Sequence, residues 1–264
     1  MAYDCYLQNT SEIEIMEAGI LHRFLDFSDG HPHRFTYDFA HPAYQQLIAQ
    51  YAIDKTAGEG SAFDKALRLM YEYAPRLHHE SCFGGDVPID GLSLLAYSLD
   101  NSQQGINCRC KAQILNEMCL ALGIYSRKVW IMPLSIYDCD CHVVNEIWDE
   151  QLNKWIMLDI TSNTYWVGED GIPLSLLEIR DKGAAHAFCT PVAPGQDLSN
   201  LQTVKQQNIA DFLYIMKNLV YLKFPASYTV GENGSAFILC PQSLLLDDPK
   251  TEIARASCES TPHL

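Results

Sequence analysis

The chain has no apolar run long enough to span a bilayer, and Met1 to Glu14 carries acidic residues without a basic-then-apolar leader pattern. A helical membrane protein is thereby excluded, and a cytoplasmic location is expected. Basic residues are scarce: 18 Lys and Arg face 33 Asp and Glu, for a formal net charge of −15. That balance repels phosphate backbones and anionic lipid, so neither nucleic acid nor membrane is expected as a partner. There is no Pro/Gly/Ser-rich linker, repeat or low-complexity tract, and 264 residues can bury one substantial core, so a single domain over 1–264 is expected. Cysteine, by contrast, is plentiful. Ten of them without a secretory leader read as reduced thiols, several buried and one available for chemistry.

That thiol is Cys108. Ala112, Leu115, Met118, Cys119 and Leu122 recur at three- and four-residue steps, the apolar stripe of an amphipathic helix that Gly123 stops. Cys108 falls in or just before its first turn. There the unpaired backbone N–H groups and the helix dipole favour thiolate over thiol, and Arg109 adds positive charge. Cys110, two residues on, is rotated by about 200° to another side.

Further along, His142–Trp148 and Lys154–Ile160 are rich in Val, Ile and Trp and flank a turn-like 149–153, which reads as a β-hairpin. A turn centred between Glu150 and Gln151 sets His142 opposite Asp159, Val144 opposite Met157 and Glu146 opposite Trp155, each pair projecting to one face. A slip of one residue would separate His142 from Asp159. The three side chains suit acyl transfer: the thiolate attacks a carbonyl carbon, the imidazole carries the proton, and the carboxylate fixes the imidazole tautomer. The Cys108 backbone N–H supplies one oxyanion donor, with Gln103, Gln104 and Asn107 as candidates for a second.

Four segments carry a resemblance to a known family: 105–112 (Gly-Ile-Asn-Cys-Arg-Cys-Lys-Ala), 122–129 (Leu-Gly-Ile-Tyr-Ser-Arg-Lys-Val), 140–146 (Asp-Cys-His-Val-Val-Asn-Glu) and 154–161 (Lys-Trp-Ile-Met-Leu-Asp-Ile-Thr). They resemble the transglutaminase-like superfamily, papain-fold relatives of tissue transglutaminases, bacterial transglutaminase-like proteases and peptide N-glycanases, and the bacterial type is the expected one. In that family the nucleophile lies fifteen residues before the Gly of a Leu-Gly-Ile element, which here is Gly123 and selects Cys108 over Cys110. The resemblance likewise assigns His142 as base and Asp159 as its orienting partner. It covers about 44–167 and implies an α+β, papain-like core with a central helix packed on an antiparallel sheet, flanked by an N-terminal arm and a C-terminal helix–hairpin extension. Two turns depart from the family pattern: Ile160 stands where Pro often follows the aspartate, and Gly105 lies three residues before the cysteine rather than two.

The expected activity is cysteine-dependent acyl-enzyme chemistry on an amide or peptide bond, hydrolase- or peptidase-like. The alternatives are an amide-forming acyltransferase that passes the acyl group to an amine, and a non-catalytic interaction module of the same fold. No cofactor or metal is required by the mechanism. A competing reading gives Cys108, Cys110, Cys139, Cys141 and His142 to a structural zinc, against which stand the Cys-x-Cys spacing and the rotation of Cys110. His31-Pro32-His33 reads as a turn-forming loop, and His78-His79 with Glu80 as a solvated helix end, with a loop at the cleft rim as the alternative. Tyr165 and Trp166 are the aromatic residues expected to face substrate; Glu146 and Glu80 are the carboxylates placed to hold an ammonium.

Helices are further expected over 42–52, 61–77 with Ser61 as N-cap, from near Asp90 to Leu99, over 175–182 and over 207–223. A turn is expected at 168–171 and a second hairpin at 226–230 and 236–240 about Gly231-Glu232-Asn233-Gly234. Cys5–Glu14 and Phe35–Phe39 read as extra strands or an arm, and the polar tail from Asp247 as disordered.

Overall fold

The computed structural model describes residues 10–26, 34–100, 104–135, 138, 140–232, 236–241 and 243–244. Gln103, Cys139, the His31-Pro32-His33 turn, Asn233-Gly234 and the tail from Asp247 lie outside the described residues.

The organising element is helix α6, Cys108–Ala121, which follows α1 (Thr10–Arg23), α2 (Pro42–Tyr51), α3 (Ile53–Ala57), α4 (Ala62–Tyr73) and α5 (Gly91–Asp100). Its stripe of apolar residues predicts one buried face, yet every residue from Cys110 to Leu120 is buried. The helix runs through the middle of the molecule, with α2, α4 and α5 on one side and strands β2 (Ser126–Met132) and β3 (His142–Asp149) on the other. Two of its buried polar residues are held by pairing: Gln113 Nε2 donates to Glu117 Oε1 (2.7 Å), and Lys128 Nζ donates to Gln113 Oε1 (2.5 Å).

β2 and β3 belong to a seven-stranded, wholly antiparallel sheet. It continues through β4 (Lys154–Asp159), β5 (Thr164–Gly168) and β6 (Cys189–Val192) at one edge, and through β7 (Tyr221–Pro225) and β9 (Ala236–Leu239) at the other. Helix α7 (Leu176–Ala184) lies between β5 and β6, and α8 (Leu201–Gln207) and α9 (Ile209–Lys217) lead from β6 to β7. The fold is thus mixed helix and antiparallel sheet, with the central helix against the sheet as expected.

Capping residues set several boundaries. Ser61 heads α4 in a reciprocal box with Asp64, and Ser175 heads α7 in the same way with Glu178. Pro75 ends the expected 61–77 helix early: α4 stops at Tyr73 and a 3-10 turn covers Ala74–Arg76. The 168–171 turn forms as expected, with Gly171 N–H donating to Gly168 O.

The main corrections lie at the two ends. Thr10–Arg23, partly expected as strand, is helix α1, while Thr36–Tyr37 (β1) does form a strand, pairing in parallel with Ser227–Tyr228 (β8). The expected helix over 207–223 breaks at Asn218 and the chain enters β7, because the apolar Tyr221–Pro225 run pairs with β2. The second hairpin is displaced accordingly: β9 pairs with β7, not with 226–230.

The β3–β4 register is also corrected. Asn145 faces Leu158, Glu146 faces Met157 and Asp149 faces Lys154, leaving a four-residue turn over 150–153 closed by Asn153 at φ 51°. The shift from the expected pairing is two residues, which preserves the face of every side chain. His142 and Asp159 therefore stay on one surface as diagonal neighbours.

A buried ion pair stitches this region together. Arg127 and Glu146 are direct partners across β2 and β3. Arg127 Nε and Nη2 both donate to Glu146 Oε2, at 2.9 and 2.6 Å, while Glu146 Oε1 accepts from Leu176 N–H at the head of α7. The guanidinium lies over the rings of Trp155 and Phe224, 4.0 and 4.8 Å from their centroids.

Candidate active site

Asn107 caps α6: its Oδ1 accepts from Cys110 N–H at 3.1 Å. The amides of Cys108 and Arg109, at the first two helical positions, have no preceding carbonyl within the helix to bond. Cys108 is half-buried at the mouth of a cleft, whereas Cys110 is buried in the core and its thiol is pushed up to about 11, mainly by desolvation. The two cysteines are separated as the 200° rotation predicts. Arg109, expected to add charge beside the thiol, turns instead to Glu232, to which its Nε donates at 2.8 Å.

His142 opens β3 and Asp159 closes β4, so the strand ends bring them together at the helix start. His142 Nε2 lies 2.8 Å from Asp159 Oδ2. The other carboxylate oxygen, Oδ1, accepts from Thr161 N–H at 2.8 Å and Ser162 N–H at 3.3 Å, which fixes the carboxylate in place. With Nε2 taken, Nδ1 is the imidazole nitrogen left for Cys108, whose side chain favours the charged ring. Burial opposes a charged imidazole, but the charge and hydrogen bond of Asp159, with Cys108 adding to them, raise the His142 pKa to about 10. Burial likewise pushes Asp159 up, and His142 with the two backbone donors pulls it below its ordinary value. Both shifts favour the imidazolium–carboxylate form of the pair.

Cys108 and His142 line a cleft of about 1140 Å³, with Asp159 fully buried behind the imidazole. One wall is the 78–81 segment, tied to the approach to α6 by Ile106 N–H donating to His78 O and Glu80 N–H donating to Ile106 O. His79 and Ser81 line it, in keeping with the rim-loop alternative. That pairing is tight at Gly105, where a Cβ would lie 2.5 Å from the Glu80 Cβ and 3.0 Å from its backbone nitrogen. The opposite wall is α9: the Tyr214 ring packs edge-on against His142 at 5.3 Å, and its hydroxyl donates to Asp140 Oδ1 at 3.1 Å. Lys217 reaches Asp138 and Asp140, both at 3.1 Å, and so holds the segment leading into His142.

Several sequence expectations about the cleft fail. Trp166 is fully buried and stacks on Phe212, and Tyr165 packs on Phe63; Trp130 is the tryptophan that lines the cleft. Glu146 is consumed by Arg127 and cannot hold an ammonium. The carboxylates that do line the cleft are Glu17, Asp140 and Asp211, of which Glu17 and Asp211 are pushed up chiefly by desolvation. Asn107, a candidate second oxyanion donor, does line the cleft, and capping α6 through its side-chain oxygen leaves its Nδ2 to donate. Asn145, three residues from the base, donates to Ala112 O and anchors α6 to the sheet. Glu17, Asp211 and Tyr214 escaped sequence reading. The only local signal was the spacing of Asp211, Tyr214 and Lys217, which puts them on one face of a helix.

Residues 49–160 match the model of the transglutaminase-like superfamily. Among solved structures, a candidate cysteine protease from Cytophaga hutchinsonii is similar at 17% identity with a TM-score of 0.34, over 64% of this chain and 55% of that one. This chain thus spans little more than half the length of that protein. No curated protein matches.

Proposed function

Residues 49–160 being a transglutaminase-like domain, we propose that the protein forms an acyl-enzyme on Cys108 from an amide or peptide substrate and releases it to water. The observation that carries this reading is the 2.8 Å His142–Asp159 pair, set behind a cleft that Cys108 and His142 both line. Sγ attacks the carbonyl carbon, and the oxyanion is met by the Cys108 amide at the head of α6. Nδ1 of His142 then gives its proton to the leaving amine, the thioester remains, and the neutral imidazole activates a water for hydrolysis. Asp159 holds the ring throughout.

A second reading, transfer to an amine, is favoured by one feature: Glu17 and Asp211 face the cleft without, among the described residues, an ammonium partner of the kind Lys217 gives Asp140, and suit an ammonium acceptor. A peptide-like reactive thioester, turned over at rising amine concentration, separates the two. Hydrolysis predicts that acid product persists at millimolar amine. Saturation toward amide at low amine would replace the hydrolase with the transferase. An inert Cys108 would leave a non-catalytic module.

A further inference from the structure

The helix that begins at Cys108 carries a lysine one turn in. Lys111 is 2% exposed, and among the described residues its ammonium makes no ion pair or hydrogen bond. An unpaired buried cation is costly and is seldom retained unless something balances it in the working state. Residues three apart share a helix face, so Lys111 leaves α6 on the side of Cys108, where β3 and β4 deliver His142 and Asp159. Burial lowers its pKa, while the charges of Asp159 and then Cys108 act to raise it. The other titratable groups around this set are His79 on the rim, Cys141 before β3, and Asp211 and Tyr214 from α9. Arg109, the nearest alternative cation in sequence, is bound to Glu232.

We propose that Lys111 is a positioning residue for charge, whose ammonium beneath Cys108 offsets the Asp159 carboxylate and so holds the cysteine–histidine pair as thiolate and imidazolium. The inference rests on Cys108 being the nucleophile. With Lys111 charged and His142 an imidazolium throughout, the thiolate form of the four-residue set is neutral overall, and the thiol form, which has taken up a further proton, carries one positive charge. Without Lys111 the balance reverses: the thiolate form buries a net negative charge and the thiol form is neutral. A site screened from water favours whichever form is neutral.

The experiment compares alkylation of Cys108 by iodoacetate and by iodoacetamide, mapped by mass spectrometry, with exposed Cys82 as reference in the same molecule. Wild-type Cys108 is expected to react faster than Cys82 with both reagents and to show the greater relative preference for the anionic one. In Lys111→Met, with Lys111→Gln as a second variant and circular dichroism to verify folding, Cys108 alkylation at neutral pH should fall about tenfold. Its preference for iodoacetate should fall with it. A Cys108 that stays fast, with unchanged charge preference in a folded variant, overturns the role of Lys111 and leaves the nucleophile standing. A wild-type Cys108 no faster than Cys82 overturns both. If neither variant folds, the wild-type charge preference decides: none beyond that of Cys82 overturns the role, and a clear preference for iodoacetate upholds it.

Discussion

His142 and Asp159 touch through Nε2 and Oδ2 at 2.8 Å although they are not opposite one another in the β3–β4 ladder, whose register pairs Asn145 with Leu158. The contact is diagonal, and the carboxylate reaches it because Thr161 and Ser162 amides hold its other oxygen. Asp159→Asn keeps an acceptor for those amides but presents an amide to the imidazole and favours the wrong tautomer. Turnover should fall by roughly 10⁴ with the fold retained. Steady-state kinetics beside a thermal melt checks it; wild-type rates would show that another group orients the ring.

Cys108→Ala should abolish the covalent acyl adduct seen by intact-protein mass spectrometry. Cys110→Ala should leave most of it, because that thiol is buried in the core and raised to about 11. Equal loss in both variants, with stoichiometric zinc in the purified protein, would favour a metal site.

The Arg127–Glu146 pair predicts a stability effect away from the chemistry. Arg127→Met strips the buried carboxylate of its partner and the Trp155 ring of its cation, at a cost of roughly 3–5 kcal/mol. Urea denaturation measures it. A loss under 1 kcal/mol would mean that Glu146 takes up a proton and is tolerated neutral.

Glu117, fully buried on α6, has its pKa raised to about 7 by desolvation, against the pull of Gln113, Gly231 and Gly91. From its ordinary value near 4.5 up to about 7, the native carboxyl keeps a proton that the unfolded chain has lost, so its contribution to stability falls as pH rises. The difference in melting temperature between wild type and Glu117→Gln should therefore move against wild type from pH 5 to pH 7. A difference independent of pH over that range would refute the assignment.

Local chemistry made the nucleophile legible: the helix start, the cap position and the rotation separating Cys110 from Cys108 depend on residues a few places apart. The hairpin was legible in its strands and faces but not in its register. A two-residue and a four-residue turn leave the same alternation along each strand, and only Asn153 at φ 51° distinguishes them. Tyr221–Pro225 reads as helix because the amphipathic pattern of α9 runs into it, and pairing with β2 overrides that pattern. Trp166 and Trp130 could not be told apart as core and cleft residues, since the choice depends on Phe212 and the distant walls of the cleft. Glu17 and Tyr214 belong to the same class of long-range placement.

That placement has a consequence for the order in which the protein can come to life on the ribosome. All three candidate catalytic residues have been synthesised by Asp159, yet Glu17 from α1 and Tyr214 and Lys217 from α9 line the cleft that Cys108 and His142 face. β7, which flanks β2 on its open edge, comes later still. A nascent chain stopped after β5 would own a thiol, an imidazole and a carboxylate without the wall that packs on the imidazole. The reactive group is therefore sheltered only once α9 has followed the strands that carry the triad.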